Sequence, residues 1–301
     1  MKQFEAHKPL LPYLTIRPQA EADQLVVVTS RAELIEAVQS ARQAHLPVQV
    51  LGGGSNVAVT SSTLPGLTII NRDHRYAVLE EDTASATVEV SAGYPVALLL
   101  QKTIAAGYAG LEYHMGLPGT VGGAIYMNSK WMHPETYFGD PLISATLLDD
   151  QGNEKKVNRD YFEFAYDHSI LQKTREIVLE VVFRFTKEKP EILQQHANEA
   201  KQYREQTQPP AAGTSGCFFR NISREEKDRH GLPTTSAGYL IDKAGLKGAS
   251  RGGYVVSDKH ANFIVNKGGG TGEDLAALLH HIKDTVKKTF GVELQEEVII
   301  W

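Results

Sequence analysis

Apolar positions along the chain change period several times, and each change marks an element. LVVVTS (residues 25–30) predicts a strand. Ser30 followed by Glu33 is a capping-box pair, and it predicts a helix through about His45 with Leu34, Val38 and Ala41 on one face. VQVL after Pro47 predicts a strand that runs straight into GGGSN, and VAVT and GLTII (66–70) predict two more. The alternation in ATVEVSAG (86–93) marks a further strand, and PVALLLQKTIAAG (95–107) a helix ending on Gly107. LISATLLDDQGNEKKV reads as strand, turn and strand, and EIVLEVVFRF (176–185) as a strand. Pro190 starts a helix to about Gln206 that links two domains. A long helix after Thr271 places Leu275, Leu278, Leu279, Ile282 and Val286 on its buried face, and GVELQEEVII closes the chain as a strand. Strands and helices are mixed throughout without an internal repeat, which predicts an α+β fold.

Composition narrows the function classes. The chain has 301 residues, 42% hydrophobic and 22% charged, with a net charge of -5, so it is long enough for about two or three domains. Without a basic block to track phosphates, nucleic acid is not an expected partner. The start, MKQFEAHKPLLPYL, does not read as a signal peptide, and the longest stretch free of charged residues, Gln43 to Asn71, is broken by prolines and glycines. One cysteine cannot form an intramolecular disulfide. The expectation is a cytoplasmic protein with no membrane association.

Glycine is concentrated where chemistry is expected. GGGSN follows a strand, as phosphate loops do, yet it lacks both GK[ST] and the GxGxxG that opens a helix. Successive backbone N–H groups there can form an anion-binding nest, with Ser55 and Asn56 adding donors; a plain hairpin turn is the competing reading. GLPGTVGGA (116–124) brings four more glycines, which suits backbone approach to a large charged ligand. KGGGTGED (267–274) reads as a loop plus helix N-cap. Cys217, in AAGTSGCFFRN, is on composition alone a small buried filler rather than a reactive thiol.

Three segments taken in order, VQVLGGGSNVAV, GLPGTVGGAIYMN, and the set SGCFFRN, AGLKG, VVSDKHANFIVN and FGVELQEEV, resemble the UDP-N-acetylenolpyruvoylglucosamine reductases, the MurB flavoenzymes of peptidoglycan synthesis. The resemblance covers nearly the whole chain. It implies an FAD-binding module of the vanillyl-alcohol-oxidase type in two parts (1–72 and 73–188). A substrate domain (189–301) follows, whose final strand returns to the active site, in the shorter class without an extra substrate-covering insertion. Gly52, Gly53, Gly54, Ser55 and Asn56 match the loop around the FAD pyrophosphate. Gly116, Pro118, Gly119, Thr120, Gly122, Gly123 and Ala124 match the second flavin loop. Tyr166, Arg204, Asn221 and His260 match substrate positions, and no metal is implied. Cys217 matches the proton donor, and Glu297 the carboxylate of the final strand. The implied reaction is NADPH-dependent reduction of an enolpyruvyl ether on a UDP-sugar by a monomer. A thiol, with a reference pKa near ~8.5, suits delivery of the final proton at neutral pH.

Two positions depart from the family pattern. Tyr-Arg-x-Ser is replaced by Tyr166, Asp167, His168 and Ser169, and Asn-Ala-Gly by Asn128, Ser129 and Lys130. Asp167 stands where the family's arginine faces the developing charge. A substitute cation is one expectation, with Arg175, Arg220 and His168 as candidates; a paralogue with altered or lost activity is the other. If Asp167 lies near Glu297, like charge raises the pKa of one of them, and a protonated carboxyl then takes the arginine's role. An FAD oxidase of a sugar or alcohol, on the same fold, is the alternative enzyme class.

Overall fold

A computed structural model describes residues 3–301. The chain forms two compact units. The first consists chiefly of Gln24–Gly53 and Gly66–Arg204, and the second of Ala6–Asp23, Gly54–Pro65 and Glu205–Trp301. Both are discontinuous, so the chain passes from one to the other inside GGGSN, between Gly53 and Gly54.

An antiparallel sheet organises the first unit. Its strands run in the order Glu154–Asn158, Leu142–Leu148, Ile177–Lys187, Ser85–Ser91, Tyr76–Glu81. Val181 sits opposite Val90 and Phe183 opposite Val88, which aligns one apolar face. The helices Val96–Ala105 and Val121–Met127 pack Leu99, Leu100, Ile104, Val121 and Ile125 into the same core as Val88, Val90, Phe183 and Phe185. A second core lies under the helix Arg31–Gln43. Ser30 accepts from the Glu33 N–H at its start, and Leu34, Val38 and Ala41 are buried with Val28, Leu67 and Ile69, as the sequence periodicity predicts. The Val48–Leu51 strand pairs in parallel with Thr63–Asn71.

In the second unit, the Gly272–Phe290 helix buries Leu275, Leu278, Leu279, Ile282 and Val286. Thr271 and Asp274 complete a capping box, so the third glycine run is a loop and N-cap. The strands Ser250–Arg251, Tyr254–Val256 and Ile264–Asn266 form a small antiparallel sheet. The chain's end differs from the expected long strand. Only Ile299–Ile300 forms a ladder, parallel to Val57–Ala58. Residues 295–297 belong to no ladder, with a bend at Glu297, and they bond instead to the segment that carries Cys217.

One buried histidine makes the first unit acid-sensitive. His114 is fully buried against the edge of Phe138, and neither ring nitrogen has a hydrogen-bond partner among the described residues. Burial, reinforced by the positive charge of Arg204, pushes its pKa down to about 3. The unfolded chain therefore binds a proton that the fold refuses. Stability is complete above about pH 6.5, the ordinary histidine value, and declines as pH falls toward about 3. The expected slope from this residue is up to ~1.4 kcal/mol per pH unit. His114→Phe removes that component, so the difference between wild type and variant in urea-unfolding free energy should shift steadily between pH 6 and pH 4 (on the order of one proton's worth). A constant difference across that range contradicts the assignment.

Candidate active site

The two glycine-rich runs meet in the first unit. A Cβ on Gly53 would lie 2.5 Å from Gly119 Cα, and one on Gly52 would lie 2.0 Å from Thr120 Oγ1. Gly122 is also tight, with its Cβ position 2.8 Å from Ala92 Cβ. These three glycines therefore permit loop-on-loop packing. The left-handed backbone expected of such loops is found at Gly54, Gly116 and Gly119, with φ of 63°, 85° and 110°. Backbone bonds clamp the arrangement: Val96 N–H donates to Gly119 O, Val121 N–H to Tyr94 O, and Gly122 N–H to Ala92 O. Arg72 Nη1 donates to Gly52 O at 2.7 Å, a contact the sequence reading missed because the arginine lies 20 residues further on.

The surface these loops present fits a flavin's pyrophosphate. Neither run carries a carboxylate, and Arg72 adds positive charge beside the first. Gly123 is exposed, and a Cβ there would meet nothing nearer than Thr120 Oγ1 at 3.7 Å. Pro118 is also exposed, whereas Thr120 and Ala124 are buried and anchor the start of the following helix. Gly116 packs on Arg204, whose guanidinium stacks on Trp131 at 4.6 Å.

Asp167 has a positive neighbour in the same unit, Lys130. Tyr166 and Asp167 form the tip of a tight turn closed by reciprocal backbone bonds between Ala165 and His168. Asp167 is buried with φ of 49°, a conformation that aspartate tolerates better than most residues. Lys130 Nζ lies 3.5 Å from Asp167 Oδ2 and 3.0 Å from the centre of the Tyr166 ring. Lys130 was visible in the sequence as a departure, yet it was absent from the candidate cations Arg175, Arg220 and His168. The turn is stitched to the C-terminal end of the Val121–Met127 helix: Ser169 Oγ donates to Tyr126 O, and Asn128 Nδ2 donates to Ala165 O.

The second unit gathers most of the other candidates on one backbone ladder. Phe218 N–H donates to Asn262 O, and Glu297 N–H donates to Phe218 O. Asn262 bonds both backbone groups of Phe219 through its side chain. Arg220 N–H donates to Gln295 O, and Ile299 N–H donates to Asn56 O. Asn56 Nδ2 reaches Glu297 O at 3.4 Å. Cys217 is half-buried and bridges Phe263. The chain is held on both sides of it by buried Ser215 and fully buried Phe218. Glu296 pairs with Lys283 at 2.9 Å, so of two adjacent glutamates the first is committed to the helix. Asn221 is exposed, and its Oδ1 accepts the Ala237 N–H at a helix start, which leaves Nδ2 as a donor. His260 Nδ1 accepts from Asn262 N–H, and burial lowers the ring's pKa, so the imidazole is neutral with its proton on Nε2.

Among the described residues no helix is long and apolar enough to cross a membrane. Residues 22–158 match the FAD binding domain family, and residues 208–301 match the C-terminal domain of UDP-N-acetylenolpyruvoylglucosamine reductase. The reductase of Synechococcus sp. is 36% identical over 294 residues, covering 96% of this chain and 90% of that protein. The Bacillus subtilis reductase is 32% identical, with 98% and 93% covered. The crystal structure of the Thermus caldophilus reductase (MurB) superposes with a TM-score of 0.80 at 28% identity, with both chains fully covered. Family match and full-length likeness agree with the ordered motifs, and the chain belongs to the UDP-N-acetylenolpyruvoylglucosamine reductase family.

Proposed function

We propose that the protein is a cytoplasmic, monomeric enzyme that reduces UDP-N-acetylglucosamine enolpyruvate to UDP-N-acetylmuramate with NADPH, using FAD, for peptidoglycan synthesis. The observation that carries this reading is the ladder that sets Cys217, Glu297 and Asn56 on neighbouring backbone, inside the region matched to the reductase C-terminal domain. The three functional segments follow the sequence division at 72 and 188, and neither a metal nor nucleic acid takes part.

Gly52, Gly53, Gly54, Ser55 and Asn56 hold the FAD pyrophosphate with Gly116, Pro118, Gly119, Thr120, Gly122, Gly123 and Ala124. When bound, FAD supplies the hydride that saturates the vinyl carbon of the substrate, having received it from NADPH. Cys217 gives the proton that completes the adjacent carbon, and Glu297 lies on the same ladder to orient that step. Tyr166, Arg204, Asn221 and His260 bind substrate. The Asn221 Nδ2 and His260 Nε2 donors suit its phosphate and sugar oxygens. A thiol flanked by small residues and pinned by buried phenylalanines keeps its geometry while its surroundings change charge.

Gly53→Ala tests the cofactor loops. Its methyl would press on the backbone of Gly119, which cannot rotate away as a side chain can. The variant should purify with little or no flavin absorbance, and Gly53→Asp likewise. Retention of full FAD by Gly53→Ala contradicts the packing described here.

Cys217 is tested anaerobically. The enzyme is reduced with NADPH, UDP-N-acetylglucosamine enolpyruvate is added, and flavin reoxidation is followed. Cys217→Ala should reoxidise on the order of 10²–10⁴ more slowly, with reduction by NADPH as the internal reference, and Cys217→Ser should recover much of the loss. Equal reoxidation in wild type and Cys217→Ala returns the cysteine to the role of a filler. Rapid reaction of the reduced wild type with oxygen, and none with the enolpyruvyl compound, identifies an oxidase instead.

A further inference from the structure

The two departures from the family pattern lie 37 residues apart in sequence and touch in space. Asp167 occupies the left-handed tip of the 165–168 turn, and Lys130 opens the Lys130–Met132 strand. Their side chains are 6% and 16% exposed respectively, so the carboxylate lies behind and the ammonium in front.

Lys130 is only partly engaged. An ammonium has three N–H donors. One is directed at Asp167 Oδ2, at 3.5 Å, which is long beside the ~2.7–2.9 Å of a tight charge-assisted bond. The ring of Tyr166 covers another side at 3.0 Å. Lys130 has no other hydrogen-bond partner among the described residues. A buried ion pair is rarely worth its desolvation for stability alone. An ion pair that serves only the fold should also have its donors satisfied, and this one leaves donor capacity on its more exposed member. Both loops are tied down by hydrogen bonds. Asn128 bonds Ala165 O and the Gly139 N–H, Ser169 holds Tyr126 O, and Gln172 Nε2 holds Asp167 O. Lys130 follows a seven-residue helix that starts at the second glycine loop. At ~1.5 Å per residue that helix is about 10 Å long.

We propose that Lys130 is the cation that grips the carboxylate of the enolpyruvyl group. Asp167 is a positioning residue that, with the Tyr166 ring, holds the ammonium in place. The proposal rests on the reductase reading. It replaces the protonated-carboxyl role expected for Asp167 with a counter-ion role. Substrate carboxylate completes the coordination of an ammonium already desolvated and aimed, which costs less ordering than recruiting a mobile lysine. Selectivity follows: the carboxylate-bearing ligand gains this contact, and the same UDP-sugar without the enolpyruvyl group does not.

The competing explanation is that aspartate is present only because it tolerates the turn. Asparagine tolerates the same backbone without the charge, so Asp167→Asn separates the two. The experiment titrates oxidised, FAD-loaded enzyme, without NADPH so that no turnover occurs, with UDP-N-acetylglucosamine enolpyruvate and with UDP-N-acetylglucosamine. Lys130→Met should lose about 10- to 100-fold in affinity for the first, the range for removing a hydrogen bond to a charged group, and little for the second. Lys130→Arg should retain most of the discrimination, and Asp167→Asn should lose an intermediate part of it. Lys130→Gln provides a second neutral variant, and flavin content and thermal melting report on its fold. Equal losses for both ligands, or no loss for either, overturn the proposal. A wild type that does not prefer the enolpyruvyl compound overturns the reductase reading, and the proposal with it.

Discussion

The close approach of Gly53 and Gly119 is the constraint on which the glycine loops of the first unit depend. Two backbones approach so closely that a methyl group on one would fall 2.5 Å from an α-carbon of the other. That distance is possible only because the flanking chain is fixed. Val96, Val121 and Gly122 tie the second loop to the end of the Ser85–Ser91 strand region, and Arg72 ties down the first. The large antiparallel sheet supplies the rigidity, with Phe183 and Phe185 fully buried beneath. Burying each such side chain contributes roughly 1.5–3 kcal/mol. The core thus stabilises a loop contact that has almost no apolar area of its own.

The second unit holds the segment that carries Cys217 in a different way. It does so with backbone hydrogen bonds on both edges of the 217–220 segment, Asn262 on one side and residues 295–297 on the other. Phe218 and Phe219 are both buried, so the segment is anchored on two sides rather than alternating in and out. This explains why the last residues bend at Glu297 instead of continuing the ladder.

Much of this was legible in the sequence, and the rest was hidden for physical reasons. The helices with clear 3.6-residue faces and caps, Arg31–Gln43 and Gly272–Phe290, were found with nearly correct ends, because their burial pattern is local. The terminal strand was overextended, because GVELQEEVII has apolar residues at strand spacing while its partners are set by distant chain. Glycine content marked both loops. It could not distinguish glycines needed for positive φ from those needed for close approach, since both favour the same residue. The buried His114 left no sequence signal, because its burial comes from Phe138 and the sheet, not from its neighbours in the chain.

The pairing of Lys130 with Asp167 shows why a site is better read as a set of charges than as a column of positions. Taken alone, an aspartate in an arginine's place predicts repulsion of an anionic substrate. Taken alone, a lysine for a glycine after a helix is an unremarkable surface change. Together they still place a cation beside the turn, with Lys130 Nζ 3.5 Å from Asp167 Oδ2. The arrangement has a structural cost that the fold meets locally: the aspartate sits in a left-handed turn it tolerates, and an aromatic face covers the ammonium. An exchange of this kind needs both residues at once. Lysine without aspartate would lose its anchor, and aspartate without lysine would lose its ion-pair partner at a buried position.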